Sequence, residues 1–75
     1  LDPTYAKVHV AQATVLEQLG RGPEAIVHLR QAIAIRPDLA EAHGNLAIAL
    51  EAAGRPDEAL VHYRETVRLL PEDPR

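Results

Sequence analysis

The chain has 75 residues and a formal charge of −3, with eight Lys and Arg against eleven Asp and Glu. It has neither cysteine nor serine, which excludes disulfides, thiolate metal sites and serine or cysteine nucleophiles. The acidic balance argues against a nucleic-acid binder, which needs a basic face, and no apolar run approaches the ~20 residues of a membrane helix.

The chain opens at Leu1-Asp2-Pro3 with no visible signal peptide, so the compartment is open and cytoplasmic only by default. A first helix is expected from about Tyr5 to Leu19, with Thr4 as N-cap and Gly20 as its stop. Val8, Ala11, Val15 and Leu19 give it an apolar stripe. A second runs from about Pro23 to Arg36, capped by Gly22, with Pro23 and Glu24 in its first turn and Pro37 ending it. Its stripe is Ala25, Ile26, Leu29, Ala32 and Ile33. A third runs from about Leu39 to Ala53. Asp38 and Glu41 have capping-box spacing, Leu46, Ala49, Leu50 and Ala53 make the stripe, and Gly54 closes it. A fourth runs from about Pro56 to Leu70, with Ala59, Leu60, Tyr63 and Val67 on one face and a stop at Pro71. The links Gly20-Arg21-Gly22 and Gly54-Arg55 are short enough to force antiparallel neighbours. The expected class is therefore all-α.

Sliding the chain by 34 residues gives 14 identities in 41 overlapping positions. Pro3, Pro37 and Pro71 coincide, as do Gly20 with Gly54, Ala25 with Ala59, His9 with His43 and His28 with His62. A period of this length marks a solenoid of stacked units, and points to binding rather than chemistry. The second unit has His43, Leu46, Ala47, Leu50, Ala59, Tyr63 and Pro71 where the tetratricopeptide pattern has W-x2-L-G-x2-Y, A-x3-F and P. The first has His9, Gln12, Ala13, Leu16, Ala25, Leu29 and Pro37. The spacing is met throughout. Histidine replaces the tryptophan twice, alanine replaces the glycine twice, and Gln12 replaces a leucine. The chain thus resembles the tetratricopeptide repeat (TPR), as a single domain over 1–75 with units at 6–39 and 40–73. The resemblance implies an alpha-alpha superhelix of two antiparallel helix-turn-helix units. About three units are usually needed for stability. The two here are expected to be part of a longer array, or to cover an open helical end with another copy.

The resemblance also implies an inner wall formed by the first helix of each unit, where extended peptides or partner helices lie. The wall positions are Lys7, Val10, Thr14, Glu17 and Gln18, then Glu41, Gly44, Asn45, Ile48, Glu51 and Ala52. This wall is more acidic than basic and carries an apolar strip of Val10, Thr14 and Ile48, which suits a basic or amphipathic protein segment. Glu17 and Glu51 also stand four residues before Arg21 and Arg55 and can simply pair with them. Members that clamp a C-terminal carboxylate use Lys, Asn and Arg on this wall. Val10 and Thr14 occupy places where Lys and Asn would be wanted, so no clamp is expected. The run from Ala40 to Leu46 is similar to the repeat region of O-linked N-acetylglucosamine transferase, whose asparagines hold a peptide backbone. Ala11 stands where a second rung beside Asn45 would be.

His9 and His43, in the tryptophan slot, are expected to pack half-buried and hydrogen-bonded between the helices of a unit. His28 and His62 follow Glu24 and Glu58 by four residues and are expected to pair with them at the surface. A closed metal site needs more ligands than that pair. No nucleophile, phosphate loop or carboxylate cleft accompanies the histidines, so no catalytic residue, metal or cofactor is assigned. The leading function is a protein-interaction scaffold binding a peptide or partner helix in a concave groove, not an enzyme in itself. The alternatives are a substrate-positioning segment of a larger enzyme such as a glycosyltransferase, and a self-assembly unit joined through its open helical ends.

Overall fold

The computed structural model describes residues 4–70 and contains four helices in antiparallel sequence: α1 (Thr4–Gln18), α2 (Gly22–Ile35), α3 (Ala40–Ala52) and α4 (Pro56–Leu69). The helix starts and stops follow from local chemistry. After α1, Gly20 takes a φ of 76°, its N–H bonds to Glu17 C=O at 3.0 Å, and the Arg21 N–H reaches back to Leu16 C=O at 2.8 Å. After α3, Gly54 has a φ of 78°, with Gly54 N–H on Glu51 C=O at 3.0 Å and Arg55 N–H on Leu50 C=O at 2.9 Å. Both are Schellman closures, which need a residue tolerant of positive φ. In each case the next residue, Arg21 or Arg55, is already the N-cap of the following helix, so the chain reverses within two or three residues.

Three cap expectations are corrected. Thr4 lies inside α1 rather than before it, and Gly22 is the first residue of α2, capped by Arg21. The Asp38–Glu41 capping box does not form: the N-cap of α3 is Leu39, with no side-chain cap bond. Leu39 is buried in the core, and sinking it there turns Asp38 outward, where it meets Arg36 at 3.4 Å. The stops expected at Pro71, and the leading Leu1-Asp2-Pro3, lie outside the described residues.

α1 packs on α2, α3 on α4, and the two hairpins join mainly through α2 against α3, with a smaller α1–α3 contact. The dimensions of 38 × 31 × 19 Å correspond to a slab two helices thick. Leu29, Leu46 and Leu50 are fully buried, and Ala6, Ala13, Ala25, Ala32, Ala42 and Ala47 fill the positions between them. Alanine there lets helix axes approach closely without leaving voids.

The apolar stripe expected on α1 is not the buried one. Ala6, Val10 and Ala13 enter the core, with Leu16 packed against it, while Val8, Val15 and Leu19 remain exposed. α1 therefore has two apolar faces, and among the described residues only one of them is covered.

Candidate functional site

The α1 and α3 helices present neighbouring faces on one side of the slab. Between them is a cleft of about 160 Å³ lined by Thr14, Glu17 and Gln18 from α1 and by Asn45 and Ile48 from α3. Five wall positions are thus brought together across the two hairpins. Thr14 donates its hydroxyl to Val10 C=O at 3.1 Å, which fixes the side chain along its own helix. Ile48 is half exposed and supplies the apolar part of the cleft. A broader depression of about 510 Å³, lined by Glu17, Gly20, Gly22, Pro23, Ala49, Ala52 and Ala53, lies at the turn end. Glu17 belongs to both, and Ala52 lies in the second.

The other wall positions fall elsewhere. Val10 is only 4% exposed and packs in the core, because its place on α1 faces inward. Gly44 is partly buried, and a Cβ there would stand 3.6 Å from the Thr66 side chain of α4. Lys7 and Glu41 are exposed in the first turns of their helices. Glu51 is exposed and accepts a hydrogen bond from the Tyr63 hydroxyl at 2.9 Å.

The pairing of Glu17 with Arg21 and of Glu51 with Arg55 is corrected. Arg21 forms a two-pronged bond to Glu24, at 2.7 and 2.8 Å, and Arg55 pairs with Glu58. The helix reversal carries each arginine over to the next helix, beside an acid three residues ahead. Without a cation, and partly buried, the Glu17 carboxyl is pushed above the ordinary carboxylate value. Burial also disfavours ionisation of Glu58, but Arg30 and Arg55 outweigh it and hold that carboxyl low. The Tyr63 hydroxyl is raised by its bond to Glu51.

His28 and His62 do not pair with their glutamates. His9 Nδ1 and His28 Nδ1 lie 3.0 Å apart, and His43 Nδ1 and His62 Nδ1 are also 3.0 Å apart. Each hairpin therefore carries one imidazole pair linking its two helices. The packing expected of His43 is present: it is 7% exposed and its Nε2 lies 2.9 Å from Pro37 C=O. A carbonyl only accepts, so His43 Nε2 carries the proton, His43 Nδ1 accepts, and His62 Nδ1–H donates. The signal for these pairs was in the sequence, since both histidines recur at the same period and the same offset of 19. Among the described residues no cluster of three metal-ligating side chains occurs. None of the described helices is long and apolar enough to cross a membrane.

A family model described as tetratricopeptide repeat matches residues 4–72. No curated protein matches significantly. Among solved structures, a MamA mutant superposes with a TM-score of 0.84 at 31% identity, over 89% of this chain and 49% of that one. A crystal structure of MamA gives 0.83 at 25% identity, over 92% of this chain and 40% of the other. A second MamA mutant gives 0.83 at 32% identity with the same coverage. The chain spans less than half the length of these structures. Helix order, turn chemistry, period and family match all agree, and the chain belongs to the tetratricopeptide-repeat family.

Proposed function

We propose that the chain is a protein-interaction module that holds a basic or amphipathic segment of a partner protein along the α1–α3 wall. The observation that carries this reading is the cleft of Thr14, Glu17, Gln18, Asn45 and Ile48. It offers three kinds of contact at once. Ile48 seats an apolar side chain. The Asn45 and Gln18 amides each supply a donor and an acceptor, matching a peptide backbone without demanding a sequence. Glu17 is a partly desolvated carboxyl with no ion pair among the described residues, so an incoming Lys or Arg gains a partner there and compensates its lost hydration. Glu41 and Glu51 extend the negative field along α3. The role is binding and positioning, without bond chemistry.

A peptide array followed by calorimetry tests this reading. Basic peptides should bind the wild-type chain, and the Glu17→Lys, Glu51→Lys variant should bind them at least about tenfold more weakly, a loss of ~1.4 kcal/mol. The wild-type affinity should also fall with added salt. Equal binding of basic peptides to both forms would remove the acidic-wall reading.

A further inference from the structure

The packing of α2 on the second hairpin has an uncovered counterpart of each of its halves elsewhere in the chain. On the giving side, α2 places Ile26 in the core, packs Ile33 against it, and pairs Arg30 with Glu58 of α4 at 3.3 Å. Moving 34 residues along gives Leu60, Arg64 and Val67 on α4. Leu60 is 47% exposed, Val67 is 71% exposed, and Arg64 forms no ion pair among the described residues.

On the receiving side, Leu46 and His62 line the seam where Arg30, Ile33 and Ala34 sit. Moving 34 residues back gives Gln12 and His28. Those two, with Ala11, Val15 and Leu16, line an open and mostly apolar cleft of about 420 Å³ on the outer face of α1.

We infer that a second copy of this chain seats its α4 in the α1 cleft, head to tail, as α2 seats on α3 within one copy. Charge complementarity supports this occupant. Glu58 gives one carboxylate oxygen to Arg55 of its own turn and the other to Arg30 of the preceding hairpin. Glu24 already holds Arg21 of its own turn and stands where an incoming Arg64 would arrive. Gln12 in place of Leu46 removes an apolar anchor, so the contact between copies is weaker than the one within a copy. The two surfaces differ, so the contact is heterologous and adds copies beyond a dimer.

Sedimentation velocity over a concentration series tests the inference on the full chain. The mean mass should start at the 8.2 kDa monomer and climb past twice that value as concentration rises. Arg64→Glu and Glu24→Arg should each weaken association by at least about tenfold. Mixing the two variants should restore it, because each supplies the charge the other lacks. Glu24 also serves its own turn, so Val67→Glu, at an exposed position, gives an independent variant, with circular dichroism reporting that each is folded. A constant monomer mass, a species that stops at a dimer, or a mixture that fails to reassociate would each overturn the inference. None of the three substituted positions lies on the α1–α3 wall, so loss of self-association and loss of peptide binding are distinguishable.

Discussion

The two glycine closures and the two histidine pairs set the behaviour of single residues. Gly54 has open space around its missing Cβ, so substitution there meets no clash and costs only the positive φ. Gly54→Val should destabilise by ~1–3 kcal/mol in urea unfolding, more than any substitution on the exposed wall. Gly22 has equally open space but ordinary helical backbone, so Gly22→Ala should be neutral or stabilise by ~0.4–1 kcal/mol. An equal effect of the two changes would contradict the turn geometry. The His62 imidazole is held below its usual value, first by burial, then by His43 and Arg30. The folded chain thus binds fewer protons than the unfolded one near the ordinary histidine value. The stability this contributes is complete above about pH 6.5 and is lost as the pH falls below it. The melting temperature should be flat above about pH 6.5 and drop as the pH falls below it. His62→Gln, which keeps a donor for His43 Nδ1, should flatten that slope. An unchanged slope in the variant would place the pH dependence elsewhere.

At the scale of the helix, alanine and leucine divide the work. Alanines at the crossings bring the axes close, and Leu29, Leu46 and Leu50 are the largest side chains that are fully buried. Leu46 lies in the α2–α3 seam, so Leu46→Ala should cost ~2–5 kcal/mol and uncouple the hairpins. The exposed Arg68–Glu65 pair on α4 is a different case: removing it with Arg68→Ala should leave stability nearly unchanged. Chemical denaturation of both variants checks this contrast. A large loss from Arg68→Ala would mean that α4 depends on its own surface and not on α3.

At the scale of the molecule, two kinds of surface coexist. The α1–α3 wall varies between the units, with Thr14 against Ile48 and Gln18 against Ala52, and it carries the proposed partner site. The outer faces of α1 and α4 repeat the pattern of an interior seam and carry the proposed contact between copies. Binding on one should leave the other free, so a basic peptide and self-association should not compete in a sedimentation experiment.

The residue order by itself determined the four helices, the glycine reversals and the family. These depend on contacts within a few residues or on a period that survives divergence: Gly20 and Gly54 need only their own φ, and the apolar spacing needs only one helix. The tertiary structure decided which face of each helix is covered. Val8 and Val15 are as apolar as Val10, yet only Val10 is buried, because α2 and α3 approach α1 from that side alone. It also decided partners. Arg21 lies near acids on both sides in sequence, and the direction of the chain reversal gives it to Glu24. His28 lies one turn from Glu24 but faces His9 across the hairpin. Local spacing specifies helices, whereas burial and pairing depend on which other helix arrives, and only the packed chain settles that.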